Sequence, residues 1–160
     1  MNIFEYALQM EKDGENFYRE LTTKMSNKGL RNIFTMLANE EVKHYNIIQG
    51  MKQGRFSFAE TKILDNAKNV FQDMKEKGEE FTSQGDEIEL YRKAQDIEKR
   101  SQNFYEDNAS KAQENEQKEI FKKLASEEAR HYFLLDNIIE FVSRPRLWLE
   151  NAEWYHLEEY

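Results

Sequence analysis

The most constraining feature of this 160-residue sequence is an internal repeat. Residues 7–18, ALQMEKDGENFY, align with residues 94–105, AQDIEKRSQNFY, at an offset of 87 and with six identities in twelve positions. Residues 33–45, IFTMLANEEVKHY, align with residues 120–132, IFKKLASEEARHY, at the same offset and with eight identities in thirteen. Two matches at one offset indicate a duplicated unit. The period is too long, and the copies are too few, for a solenoid.

Each copy has the pattern of two helices, because its apolar residues recur every three or four positions. In the first copy, Ser-Asn-Lys-Gly at 26–29 predicts a short turn between antiparallel helices. The second copy predicts helices at about 86–112 and 115–143. The connection at 53–85, with a short helix predicted at 63–76, is long enough to return along a bundle. We therefore predict an all-α four-helix bundle of two antiparallel pairs with one long crossover.

The C-terminal segment departs from this pattern at Pro145, which a helix interior does not tolerate. The sequence therefore divides into a bundle at 1–143 and a separate aromatic-rich tail at 144–160. The large apolar and aromatic residues of the tail are Trp148, Leu149, Trp154, Tyr155 and Tyr160. A short segment cannot easily bury so much surface against its own bundle, and exposed apolar patches usually mark interfaces. We therefore expect a homodimer.

Composition excludes several classes of protein. The net charge of −8 argues against a nucleic-acid-binding surface. No window approaches the roughly 18 consecutive apolar residues of a membrane span, and the N-terminus lacks the pattern of a signal peptide, so we expect a cytoplasmic protein. The sequence has no cysteine, which excludes a disulfide, a thiol nucleophile or a thiolate metal site within it.

Six polar residues interrupt the apolar faces in a repeated order: one Glu on the first helix of each copy and Glu-x-x-His on the second. They are Glu11, Glu41, His44, Glu98, Glu128 and His131. A pair three residues apart lies about 60° apart around a helix, so both side chains can serve one site. Four buried carboxylates, with a charge of about −4, cannot all stay ionised. Two divalent cations would balance them, and oxygen-rich sites with imidazole suit iron or manganese.

A lone Glu-x-x-His has little value as a motif. Glu153 and His156 form a third copy in the tail, without an upstream partner, and we interpret them as a surface or tail-packing pair. The alternative for the six core residues is a structural salt-bridge network with Lys43 and Arg130. These cations directly precede the histidines and should point about 100° away, so they would neutralise the carboxylates poorly. The shared offset favours the metal site.

Four further residues lie beside these six. Tyr18 and Tyr105 each follow a first-helix glutamate by seven residues, two turns along the same face. They could hydrogen-bond a ligand carboxylate or relay an electron, or they could be ordinary core aromatics. Glu40 and Glu127 directly precede the Glu of each Glu-x-x-His, so we expect them to be rotated outward and solvated.

The strings LANEEVKHY, LASEEARHY, MEKDGENFY and IEKRSQNFY resemble the ferritin-like superfamily, and specifically the rubrerythrin group. The resemblance covers about residues 1–143. It implies a diiron centre in which Glu41 and Glu128 bridge the metals. The terminal ligands would then be Glu11, His44, Glu98 and His131. It also implies redox chemistry with hydrogen peroxide or dioxygen.

The sequence differs from the rubrerythrin pattern in two respects. Rubrerythrins usually add a rubredoxin-like module with a four-cysteine iron, so a chain without cysteine implies an external electron donor, such as a rubredoxin-like protein. They also carry an extra Glu three residues after the ligand of the third bundle helix, where this chain has Ser101. Ser101 moves the site toward the symmetric six-ligand pattern of bacterioferritin. The alternatives are therefore a ferroxidase for iron storage or transfer and a non-enzymatic metal-binding bundle.

Overall fold

The computed structural model describes residues 2–78, 87–150 and 157, and within them the regular secondary structure is helical. The six helices are α1 (Ile3–Lys24), α2 (Lys28–Lys52), α3 (Ile63–Lys77), α4 (Glu87–Lys111), α5 (Asn115–Ser143) and α6 (Pro145–Glu150). The all-α prediction is confirmed, and the predicted helices agree with α3, α4 and α5 to within one residue at each end. None of the helices in these ranges has an apolar stretch that could cross a membrane.

Asparagine side chains fix where the first two helices begin. The side chain of Asn2 accepts a hydrogen bond from the Glu5 backbone N–H at 2.9 Å, and Asn27 accepts one from the Leu30 N–H at 2.9 Å. Such caps satisfy donors that the first turn of a helix leaves unpaired. Because Asn27 is the cap, α2 already begins at Lys28, inside the turn that the sequence predicts at 26–29.

The four long helices form two hairpins, α1 with α2 and α4 with α5, which meet through α1–α4 and α2–α5. Tyr18 pairs with Glu98, whereas the earlier Glu11 pairs with the later Tyr105, so α1 and α4 are antiparallel. The same reversed order holds for α2 against α5. It follows that α2 and α4 run in the same direction. The chain between them must travel the length of the bundle, and α3 packs against α2 on the way.

The apolar core has two clusters, one on either side of a polar layer. On α2, Leu37 belongs to one cluster and Ile48 to the other. On α5 the order is reversed, with Leu124 in the second cluster and Leu134 in the first. The glutamate and histidine of each Glu-x-x-His lie between these apolar residues. The antiparallel packing therefore places both motifs at one level of the bundle, enclosed by apolar side chains.

The described part of the C-terminal segment packs into the apolar core, and the division of the chain at residue 143 stays a prediction. Trp148 is fully buried and packs edge-on against Phe71 of α3, with ring centroids 5.6 Å apart. Leu149 and Leu157 are also buried. The other residues singled out in this segment, Glu153, Trp154, Tyr155, His156 and Tyr160, lie outside the described residues. Burial of Trp148 and Leu149 removes part of the surface on which the homodimer prediction rests, and the homodimer stays a prediction.

Candidate metal centre

The structure brings the six predicted residues together in the polar layer. Glu11, Glu41, His44, Glu98, Glu128 and His131 are each between 0% and 3% exposed. They form two groups of four, and within each group one ligand atom per residue lies within 4.8 Å of all the others. Glu11 and His44 belong to one group and Glu98 and His131 to the other, while Glu41 and Glu128 belong to both. Two positions that share two carboxylates suit a pair of metal ions with bridging ligands.

Both histidines direct Nδ1 toward the cluster. His44 Nδ1 lies 2.9 Å from Glu128 Oε1 and 3.5 Å from Glu11 Oε1. His131 Nδ1 lies 3.4 Å from Glu98 Oε2. The two rings are nearly parallel, with centroids 5.7 Å apart. If metals are bound, Nδ1 is therefore the nitrogen of each ring that can reach them, and Nε2 faces away.

The outward nitrogen of each histidine contacts a carboxylate from the other repeat. His44 Nε2 lies 2.8 Å from Glu127 Oε1, and His131 Nε2 lies 3.3 Å from Glu40 Oε1. A carboxylate that accepts the N–H of a ligating histidine fixes its tautomer and the direction of its ring. Glu40 and Glu127 therefore hold the histidines with Nδ1 directed inward.

This arrangement corrects the prediction that Glu40 and Glu127 are solvated. Glu127 is 1% exposed, and Glu40 has 14% of its side chain exposed. The rotation of about 100° from the inner glutamates places them between α2 and α5, where the crossover covers them. There the Thr61 N–H donates to Glu127 Oε2 at 2.7 Å, and the Thr61 hydroxyl donates to Glu40. The Glu-Glu doublet at the same place in both copies was a signal for this pair.

Lys43 neutralises these outer carboxylates. Its Nζ lies 2.9 Å from Glu127 Oε1 and 3.8 Å from Glu40 Oε2. Part of the salt-bridge alternative is therefore present, but Lys43 forms it one layer outside the six inner residues. A cation at this place offsets the charge of the residues that orient the histidines, which leaves the charge of the inner carboxylates to be balanced separately.

Tyr18 and Tyr105 hydrogen-bond the first-helix glutamates across the bundle. The Tyr18 hydroxyl donates to Glu98 Oε1 at 2.6 Å, and the Tyr105 hydroxyl donates to Glu11 Oε1 at 2.5 Å. Burial and the nearby carboxylates raise the pKa of both phenols well above the usual 10.0, so each keeps its proton. Both tyrosines therefore hydrogen-bond a candidate ligand carboxylate, which is one of the roles considered for them.

Burial and crowding perturb the ionisation of the inner residues. Burial, together with the charges of neighbouring carboxylates, raises the pKa of Glu41 and Glu128 well above 4.5. Burial acts in the same direction on Glu98, but the His131 charge and hydrogen bonds outweigh it and lower this pKa to about 2. Burial disfavours the His131 cation, yet Glu98 raises the pKa of the imidazole to about 10. The cluster alone thus lowers its negative charge by taking up protons, which bound cations would displace.

The inner cluster also leaves buried polar atoms without hydrogen-bond partners among the described residues. These atoms are Glu11 Oε2, Glu41 Oε1, Glu98 Oε2, Glu128 Oε2 and His131 Nδ1. Buried polar atoms are almost always paired, because desolvation without compensation is costly. Unpaired oxygen and imidazole nitrogen atoms that converge on one place have the chemistry of ligands for iron or manganese. The residues therefore fit a pair of such ions.

Gly14 leaves the space that Glu41 occupies. A Cβ at this position would lie 3.1 Å from both Cδ and Oε2 of Glu41, which is closer than ordinary contact. The equivalent residue in the second copy is Ser101, which is 4% exposed in α4. The two copies therefore differ at the position one turn after their first-helix glutamates, and neither supplies a further carboxylate there.

Comparison with known proteins agrees with this geometry. A family model described as Rubrerythrin matches residues 2–139. Comparisons with curated proteins and with solved structures give no significant match. The matched range includes all six inner residues, and their buried cluster is compatible with a diiron site. Because the match extends over most of its 160 residues, the chain belongs to the rubrerythrin family.

Proposed function

We propose that the protein is a diiron oxidoreductase that reduces hydrogen peroxide or dioxygen with electrons from Fe(II). An external donor, such as a rubredoxin-like protein, would then restore the reduced state. One observation carries this proposal: two groups of four buried ligands share Glu41 and Glu128 and include ligand atoms without hydrogen-bond partners among the described residues. Members of the family act on such small oxidants, and a buried site between four helices suits a substrate of this size.

The inner residues would divide into terminal and bridging ligands. Glu11 and His44 would hold one metal, Glu98 and His131 the other, and Glu41 and Glu128 would bridge them. Bound iron supplies electrons for reduction of the oxidant and charge to stabilise the oxygen atoms that separate. The apolar clusters on either side limit access to water, which strengthens the electrostatic interactions inside.

The surrounding residues would fix the protonation and the orientation of the ligand side chains. Glu127 and Glu40 keep the histidine Nε2 atoms paired, so that each Nδ1 lone pair would be available to a metal ion. Tyr18 and Tyr105 fix the terminal carboxylates through their hydroxyl protons. Because these phenols stay protonated, they stabilise the carboxylate charge by hydrogen bonding and do not compete for metal.

Ser101 supports a second candidate function, the oxidation of Fe(II) for storage or transfer. A short neutral hydroxyl is a poor anionic ligand, so the site would have six protein ligands in a nearly symmetric order. Such a site lacks the additional carboxylate that is expected of an efficient peroxidase of this family. Assembly into a large closed shell, measured by light scattering, would favour storage. Peroxide-driven oxidation without such assembly would favour the peroxidase.

Elemental measurement of metal content combined with stopped-flow kinetics tests the proposal. Protein loaded anaerobically should contain about two metal ions per chain, and the element bound after purification distinguishes iron from manganese. Peroxide should oxidise the bound Fe(II) faster than dioxygen does. Glu128→Gln and His131→Ala should lose one or both metals, because they remove a bridging and a terminal ligand. The control is Glu119→Gln on the same helix, whose side chain is 61% exposed. Unchanged metal content in both ligand variants would refute the site.

A further inference from the structure

A line of aromatic rings connects the candidate metal centre with the protein surface. Tyr105, fully buried and hydrogen-bonded to Glu11, has its ring centroid 5.5 Å from that of Phe104. Phe104 is partly buried, and its centroid lies 5.0 Å from that of Tyr6. Tyr6 is 52% exposed. The line therefore begins at a candidate ligand and ends at a phenol in contact with solvent.

The second half of the bundle lacks the surface end of this line. The residues equivalent to Tyr105 and Phe104 are Tyr18 and Phe17, whose ring centroids lie 5.9 Å apart. The residue equivalent to Tyr6 is Lys93, which has no redox-active ring. The duplication thus provides a built-in comparison: both halves have the inner pair of rings, and one half has the outer tyrosine.

A second line of rings begins at Tyr18 but stays inside the protein. Tyr18 stacks on Phe34 at 6.2 Å, and Phe34 stacks on Tyr91 at 5.3 Å. Tyr91 is fully buried, and its hydroxyl lies 3.2 Å from Met25 Sδ. A radical formed at Tyr91 would have no contact with solvent or with an external reductant. Tyr6 is therefore the better terminus.

We propose that Tyr105, Phe104 and Tyr6 form a one-electron path, in which exposed Tyr6 supplies an electron to the centre beside Glu11. This inference rests on the proposed reaction with peroxide. The rate of electron transfer falls steeply with distance. A series of rings in contact therefore favours the route from Tyr6 to Tyr105 over routes through aliphatic side chains. The exposed phenol can release its proton to water and can be reduced again by an external one-electron donor.

The path becomes necessary when the centre is short of one electron. Reduction of hydrogen peroxide to two waters, with cleavage of its O–O bond, consumes two electrons and two protons. Tyr105 provides the second electron when only one is available from bound iron, and its phenolic proton moves along the hydrogen bond to Glu11. Tyr6 then reduces the Tyr105 radical, the proton returns from Glu11, and Tyr6 loses its own proton to solvent. Solvent supplies the two protons that peroxide takes up, and the proton that Tyr6 releases replaces one of them. The net change is therefore that Fe(II), the Tyr6 phenol, hydrogen peroxide and one solvent proton give Fe(III), a neutral Tyr6 radical and two waters.

Spin trapping with peptide mapping tests this path. Protein loaded with a single Fe(II) per chain is mixed with peroxide and a nitrone trap, and the tyrosine that carries the adduct is identified by mass spectrometry. We expect the adduct at Tyr6, and none when iron or peroxide is omitted. Phe104→Leu should lower the Tyr6 adduct several-fold with unchanged metal content and helicity. Phe17→Leu, at the equivalent position in the other half, should leave it unchanged.

The outcomes separate the path from the reaction on which it rests. An equal Tyr6 adduct in wild type and Phe104→Leu, or an adduct that forms mainly at Tyr91 or Tyr45, overturns the path. The absorbance of the iron is followed in the same samples. If peroxide oxidises Fe(II) but Phe104→Leu does not lower the amount of Tyr6 adduct, only the path is wrong. If peroxide does not oxidise Fe(II), the proposed reaction is wrong, and the path is overturned with it.

Discussion

Replacing Glu127 with glutamine tests whether the outer carboxylates control metal binding. Oε1 of Glu127 accepts from His44 Nε2 at 2.8 Å and forms an ion pair with Lys43 Nζ at 2.9 Å, while Oε2 accepts from the Thr61 N–H at 2.7 Å. An amide has one oxygen and one NH₂ group. In Glu127→Gln, therefore, the amide NH₂ group replaces one of the two oxygens. It then faces either His44 and Lys43 or the Thr61 N–H, and these groups are themselves donors.

Two independent magnitudes agree on the size of the effect. Leaving a buried donor unpaired costs about 1–3 kcal/mol. Loss of the partner that orients a ligating histidine typically weakens metal binding by about 10- to 100-fold, and this is about 1.4–2.8 kcal/mol at 1.4 kcal/mol per factor of ten. We therefore expect Glu127→Gln to weaken one of the two metal sites, the one with His44, by about 10- to 100-fold. The melting temperature of the metal-free protein should fall by about 2–4 °C for each kcal/mol lost.

The assay is anaerobic titration of metal-free protein with Co(II), which reports occupancy through its visible absorption. Wild type should fill both sites over a similar range, and Glu127→Gln should separate them into one tight and one weak site. Glu119→Gln provides the control, since it removes an exposed carboxylate from the same helix. If the titration curves of Glu127→Gln and of the control coincide, Glu127 does not orient His44.

Three further predictions concern the inner cluster. Gly14→Ala should leave the melting temperature of the metal-free protein unchanged or higher, since alanine favours helix by about 0.5–1 kcal/mol, yet weaken Co(II) binding, because Glu41 must move from a contact at 3.1 Å. Metal removal should lower the melting temperature in calorimetry, and more so as pH rises. The pKa values of Glu41 and Glu128 are raised on folding, so the stability that their protonated forms provide is lost as pH rises above 4.5. Ser101→Glu should add a hard ligand, lower the midpoint potential in a redox titration and speed peroxide turnover; if both stay unchanged, residue 101 is not at the site.

The inner cluster was predictable because it depends only on helical periodicity and on the duplication. Glu41 and His44 lie between apolar residues of one helix, and the offset of 87 assigns the same role to Glu128 and His131. Once both copies are helical hairpins in one bundle, the buried faces must meet, and the polar residues on them meet as well. These inferences need no knowledge of how closely neighbouring helices approach each other.

The outer carboxylates were not predictable in this way, because their surroundings come from parts of the chain distant in sequence. Glu127 is buried because α2, Lys43 and Thr61 of the crossover surround it. Thr61 lies 66 positions before Glu127 in a segment without repeat symmetry. The burial of Trp148 has the same origin, because it requires Phe71 of α3 to lie beside α6. The helical angle alone places such residues at the boundary between core and solvent. Tertiary packing then determines whether they are buried or exposed.

The differences between the two copies would make the two candidate metal positions unequal. The six inner residues follow the repeat, so the set of candidate ligands is symmetric in composition. Tyr6, however, corresponds to Lys93 in the other copy, so of the two equivalent lines of rings among the described residues, the one beside Glu11 and His44 ends at an exposed tyrosine. That position also has the closer histidine contact, because His44 Nε2 lies 2.8 Å from Glu127 Oε1, whereas His131 Nε2 lies 3.3 Å from Glu40 Oε1. A histidine held more firmly, next to the proposed electron path, would suit a metal that exchanges electrons with the exterior. We therefore expect electrons from outside to reach this metal first, and the metal beside Glu98 to be reduced through it.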